Sequence, residues 1–181
     1  MQTTPGTSLS ESPTARPRTR DRLVGVLLSV AVVVYVLDQI TKGWAVRDLR
    51  PGGAIPLIGS LLQLRLVRNA GAAFSLATGM TWLLTLVAII VVLVVVRSAR
   101  RLGSRGWALA LGLLLGGAMG NLTDRLVRPP GIGRGQVVDF IDYNGFFVGN
   151  VADIAIVAAA VLIGVLSVRG IGLDGGRAAN G

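Results

Sequence analysis

Asp139 lies inside the apolar run Val137-Val138-Asp139-Phe140-Ile141, and Asp153 opens a hydrophobic segment in Asn150-Val151-Ala152-Asp153. An ionisable side chain at the edge of a bilayer is expensive to keep, so its default reading is functional. Two such acids suggest a carboxylate pair. The chain contains no Cys and no His, which excludes disulfides, thiol nucleophiles, Ser-His triads, His-based zinc sites and haem ligation. Hydrolytic chemistry here must come from carboxylates, Lys or hydroxyls. Splitting an amide without a covalent intermediate needs one ionised carboxylate to take a proton from water. A protonated one must polarise the carbonyl and later serve the leaving nitrogen.

The neighbouring polar residues also have structural readings. Asn150 can cap a helix with Asp153 at its third position, where the helix dipole favours an acid. Asp124 and Arg125 read as a pair closing a helix. Lys42 is the single Lys among eighteen basic residues, four residues after Asp38. That spacing puts the two on one helix face, where they can neutralise each other. Asn69-Ala70-Gly71 reads as a turn, as does Asp142 before Tyr143-Asn144-Gly145. Asp139 has neither a capping role nor an adjacent base to account for it.

The elements that must position these residues are membrane spans. The chain has 181 residues, 52% of them hydrophobic, and a net charge of +9, with a mean hydropathy of +0.67. It is too apolar for an ordinary soluble domain and too short for a large transporter. The basic residues sit at the ends of hydrophobic runs and form no patch interleaved with aromatics, so no nucleic-acid partner is expected. Residues 1–22 read as a disordered tail ending in Arg16, Arg18, Arg20 and Arg22. Spans are expected at Leu23–Val46, Met80–Val96, Trp107–Leu122 and Val151–Val168, each close to the ~17 to 25 residues needed to cross a bilayer. Arg97, Arg100, Arg101 and Arg105 crowd the short second link, which puts it and both termini in the cytoplasm. Residues 171–181 then form a cytoplasmic tail. Short strands are expected at Ile55–Ile58 and Leu62–Val67 in the first long outer segment. Gly112, Gly116 and Gly120, at four-residue spacing, mark a face for close helix packing. Asp38 lies fifteen residues beyond Leu23 and Asp153 fifteen before Val168, each about 22 Å along its helix at ~1.5 Å per residue. The acids share a depth, and the polar residues gather at the outer surface. A proton-carrying exporter would instead place its essential acid near mid-bilayer. A non-catalytic assembly factor would use these acids for stability alone.

Five blocks in order now become meaningful: Asp38-Gln39-Ile40-Thr41-Lys42, Asn69-Ala70-Gly71-Ala72-Ala73-Phe74-Ser75, Gly120-Asn121-Leu122-Thr123-Asp124-Arg125, Val137-Val138-Asp139-Phe140 and Asn150-Val151-Ala152-Asp153. Together they resemble the signature blocks of lipoprotein signal peptidase, or signal peptidase II. The resemblance implies an all-α integral membrane protein of the bacterial inner membrane, with four transmembrane helices (residues 23–170) and a small extracytoplasmic β-cradle. It implies an aspartyl endopeptidase that cuts the signal peptide from a prolipoprotein immediately before the diacylglyceryl-modified Cys. It would act as a monomer among membrane lipids, with no cofactor and no metal. The family's catalytic acids fall on Asp139 and Asp153, with Asp124 as runner-up. Asn69, Gly71, Asn121, Arg125 and Asn150 would surround the site, and Asp38 and Lys42 would support it. The rival reading remains a small four-helix proton-coupled exporter. One departure stands out: the family's usual Phe before Asn-x-Ala-Asp is Gly149 here, with Phe146 and Phe147 a little earlier.

Overall fold

In the computed structural model, residues 16–71 and 81–176 are described. The order is α1 (Arg16–Asp48), β1 (Ile55–Ile58), β2 (Leu62–Asn69), α2 (Thr81–Ala99), α3 (Arg105–Val127), β3 (Val137–Tyr143), β4 (Phe147–Gly149) and α4 (Val151–Val168). All four helices are long and apolar enough to cross a membrane. α1 starts at Arg16, seven residues before the expected span; its 33 residues reach about 50 Å, beyond a ~30 Å hydrocarbon core. Its first turns continue the helix outside the apolar stretch, so residues 16–22 are not a structureless tail. The end of the chain is also more ordered than a tail. Leu173 O accepts from Gly103 N at 2.9 Å, and Ile171 O accepts from Trp107 Nε1 at 2.8 Å, binding this segment to the α2–α3 link and the first turn of α3. Residues 1–15 and 177–181, and Ala72–Ser75 of the second block, lie outside the described residues.

Glycine determines how closely the helices pack. A Cβ at Gly112 would stand 2.8 Å from Leu27 O, and one at Gly116 2.7 Å from Ala31 O. At Gly120 it would run into the Asp38 carboxylate. The stripe expected for packing therefore lies against α1. Gly117, on another face, does the same for α4, where a Cβ would meet Ala152 O at 2.6 Å. α3 is the central helix, touching the other three.

The outer segments build one antiparallel sheet in the order β1-β2-β3-β4. The first two strands match the expectation from partial alternation. β3 and β4 were not foreseen. β3 is buried along nearly its whole length, so it lacks the alternation that marks a half-exposed strand. Its Phe140 packs with Ala45 of α1 and Leu49 just beyond the helix and meets the Trp44 ring edge-on at 6.3 Å. This contact seats the sheet on the end of α1. A register shift between Leu64 and Val67 lets Val67 pair with Asp139 and Asn69 with Val137. The acid of β3 and the asparagine ending β2 thereby become neighbours.

Candidate active site

Asp153 owes its position to local sequence. Asn150 caps α4, its side chain accepting from Asp153 N at 3.1 Å while Asp153 Oδ2 accepts from Asn150 N at 3.1 Å. This reciprocal capping box satisfies two otherwise orphaned N–H groups. A third is taken by Asp38, whose Oδ1 accepts from Ala152 N at 3.0 Å. The first helix thus anchors the start of the fourth, and Asp38 and Asp153 do share a depth.

Lys42 is fully buried, as is Asp38. Its ammonium has three hydrogens and no lone pair, and each finds an acceptor: Asp38 Oδ2 at 2.8 Å, Asp124 Oδ2 at 3.0 Å and Asn121 Oδ1 at 2.9 Å. Asp124 also takes Arg128 Nε at 2.6 Å and Val138 N at 3.1 Å. Two carboxylates against two cations leave this buried group neutral, the condition under which burial is tolerable. Asp124 and Arg125 do not pair as expected. α3 continues through both to Val127, and successive helical residues point in different directions. Asp124 faces Lys42 and Arg128 and tethers β3. Arg128 was not singled out in the sequence; its four-residue spacing from Asp124 was the available signal.

Each asparagine is oriented by a donor that claims its oxygen. Lys42 and Asn150 Nδ2 donate to Asn121 Oδ1, so Asn121 Nδ2 turns to Asp153 Oδ1 at 2.9 Å. Asp153 N occupies Asn150 Oδ1, leaving Asn150 Nδ2 to donate to Asp139 Oδ1 at 2.6 Å. Gly71 N donates to Asn69 Oδ1 at 2.7 Å, and Asn69 Nδ2 reaches Asp139 Oδ2 at 2.8 Å. Gly71 holds φ at 109°, a backbone conformation that favours glycine. Two carboxylates from different elements are joined through Asn150. The surroundings of Asp139 push its carboxyl up to about 6, chiefly through burial, with the Asp153 charge adding to the rise and the Asn69, Asn150 and Lys42 contacts opposing it.

A cavity of about 190 Å³ opens beside the pair, lined by Asn69, Gly71, Asn121, Arg125, Asp139 and Asp153 among others. Arg125 Nη1 is buried and has no hydrogen-bond partner among the described residues. All ten candidate site residues therefore belong to one connected region: Asp139 and Asp153, five residues around them (Asn69, Gly71, Asn121, Arg125 and Asn150), and Asp38, Lys42 and Asp124 behind. Asp142, read as turn chemistry, does accept from Gly145 N at 2.7 Å; it also pairs with Arg65 at 2.9 Å.

A family model described as signal peptidase (SPase) II matches residues 30–169. The chain belongs to the signal peptidase II family. The lipoprotein signal peptidase of Rhodococcus jostii (strain RHA1) is 52% identical, the alignment covering 93% of this chain and 84% of that protein. The lipoprotein signal peptidase of Mycobacterium avium (strain 104) is also 52% identical, over 91% and 89% of the two chains. A bacterial membrane enzyme solved by the in meso method at 1.9 Å resolution superposes with a TM-score of 0.70 at 28% identity, covering 80% of this chain and 94% of that one. Membership in signal peptidase II makes the chain a multi-pass membrane peptidase of aspartic type, with four apolar helices and a small antiparallel sheet. The exporter reading has no support among these relatives.

Proposed function

We propose that the peptidase removes signal peptides from diacylglyceryl-modified prolipoproteins, cutting immediately before the lipidated Cys, with Asp139 and Asp153 as the catalytic pair. The observation that carries this reading is the joining of two carboxylates through Asn150 beside a small cavity, with one acid far more desolvated than an ordinary carboxylate. Asp139 carries the proton the pair shares. Asp153, accepting N–H groups from Asn121 and Asn150, is the base.

Asp153 removes a proton from water as the oxygen forms its bond to the scissile carbonyl carbon. Asp139 donates its hydrogen to the carbonyl oxygen, so the tetrahedral intermediate is a neutral gem-diol. Collapse breaks the C–N bond, the proton held by Asp153 passes to the leaving nitrogen, and Asp139 regains its own. The products are a carboxylic acid on the signal peptide and a free amine on the modified Cys. Arg125, which lines the cavity beside both acids and whose Nη1 has no acceptor among the described residues, is placed to bind a substrate carbonyl.

The acids lie at the outer membrane surface, both termini are cytoplasmic, and the protein acts as a monomer. Arginine density in the short α2–α3 link supports this orientation. A signal-peptide helix then lies among the spans, acyl chains stay in lipid, and the scissile bond reaches the interface. The decisive experiment compares cleavage of a diacylglyceryl prolipoprotein with its unlipidated form. Cleavage of the lipidated form alone is expected; equal cleavage of both would overturn the assigned substrate class.

A further inference from the structure

The carboxylate of Asp153 has an unusual neighbour. A Cβ placed on Gly149 would lie 2.6 Å from Phe147 Cε1 and 3.1 Å from both Phe147 Cζ and Asp153 Oδ2. Only the missing side chain lets the Phe147 ring edge close over that space. An aromatic edge carries positive partial charge, so it tolerates a carboxylate close by. From the other side the ring stacks on Tyr143, centroids 6.1 Å apart and planes 21° from parallel. The two residues face each other across β3 and β4.

Phe147 borders three cavities. One is an apolar groove of about 670 Å³ running along α4 past Ile154 and Val157 to Asn150 and Asp153. The second, about 300 Å³, contains Arg68, Asn69 and Asp139. The third is the 190 Å³ cavity bordered by both acids. The Phe147 side chain thus lines the apolar groove along α4 and both cavities that border Asp139. It is also 44% exposed, so its ring is not locked by packing on every side.

We propose that Phe147 is a specificity-determining residue: seated over Gly149, its ring limits the size of the substrate side chain admitted beside the scissile bond. Longer apolar parts of the substrate stay in the groove along α4. The cavity at the acids holds roughly six water volumes of about 30 Å³ each, enough for a peptide bond and a short side chain. This inference rests on the peptidase reading above.

The test uses the full-length enzyme and diacylglyceryl prolipopeptides that differ only in the residue before the modified Cys, as Gly, Ala, Leu or Phe, with kcat/KM as the readout. The wild type should favour Gly and Ala over Leu by about tenfold or more, within the range a size-limited pocket achieves. Phe147→Ala should shrink that ratio about tenfold. Gly149→Ala, whose methyl displaces the ring, should move it the same way, while Phe147→Tyr should preserve it. Should Phe147→Ala fail to fold, the Gly149→Ala and Phe147→Tyr pair decides. If the variants scale every substrate by one factor, Phe147 is structural and the proposal fails. If the wild type cleaves no lipidated peptide, the peptidase reading itself falls, and the aperture with it.

Discussion

At the residue scale, Asp139 and Asp153 were visible because apolar surroundings make a carboxylate costly and because the absence of His and Cys leaves few rivals. What sequence could not show is the set of tertiary hydrogen bonds that hold Asp139 between Asn69 and Asn150 and bring Asn121 to Asp153. Asp139→Asn and Asp153→Asn should each lower prolipoprotein cleavage by roughly 10²–10⁴-fold, the usual contribution of a general acid or base, while insertion and binding of the lipidated substrate persist. Full activity in Asp139→Asn would shift the catalytic role to Asp124. Asp124→Asn should act differently. It leaves Lys42 and Arg128 short of a buried counter-charge, at a cost of about 3–5 kcal/mol, read as a lowered Tm in detergent.

The raised Asp139 carboxyl also makes pH predictions. Because the folded group holds its proton up to about 6 against an ordinary value of 3.8, the native state binds more protons than the unfolded chain between those values. Stability therefore falls as pH rises through this window, by roughly 3 kcal/mol for this group at 1.36 kcal/mol per unit. Denaturant titrations from pH 4 to 7 should show that slope in the wild type and its loss in Asp139→Asn. Activity needs one proton on the pair, so kcat/KM should decline on the alkaline side from about pH 6 upward. A profile that rises to a plateau and never falls through neutrality would rule out the one-proton pair.

At the element scale, the four helices were legible from hydropathy, and the role of the glycine stripe from its four-residue spacing. The capping box of α4 was legible too, because Asn150 and Asp153 are local to one another. β3 was hidden because burial of both its faces erases the period of two, and β4 is only three residues long. The link from Lys42 through Asn121 to Asp153 joins three helices and has no sequence signature. Lys42→Met would remove the shorter of two hydrogen bonds to the Asn121 oxygen and loosen the amide that orients Asp153. It should lower kcat on the order of 10²-fold, as a small misplacement can, with KM changed little. A matching rise in KM would point to substrate binding instead. Gly116→Val would force α1 and α3 apart, costing about 1–3 kcal/mol, again measurable as a lower Tm.

At the scale of the whole molecule, the sheet sits at one end of the bundle and the carboxylates lie beneath it. The arginine-rich link and residues 171–176 sit at the other end. The native chain has no Cys, so single cysteines introduced on the described elements report orientation cleanly. A Cys at Gly145 should react with an impermeant maleimide in intact cells, and one at Gly176 only after the membrane is opened. The reverse pattern would invert the proposed topology.

Composition and spacing along the chain were enough for the class of molecule, the number of spans and a short set of candidate acids. Each of these depends on local composition: apolar length, charge at the ends of runs, and the cost of an isolated carboxylate. Tertiary structure alone decided which polar groups meet. Lys42 gathers Asp38, Asn121 and Asp124 from two helices, and the register of β2 on β3 delivers Asn69 to Asp139. The Phe147 ring edge occupies space beside Gly149 that a side chain there would fill. Hydrogen bonds and side-chain contacts act over a few ångströms, and residues 80 positions apart come within that range only after the helices and the sheet have packed.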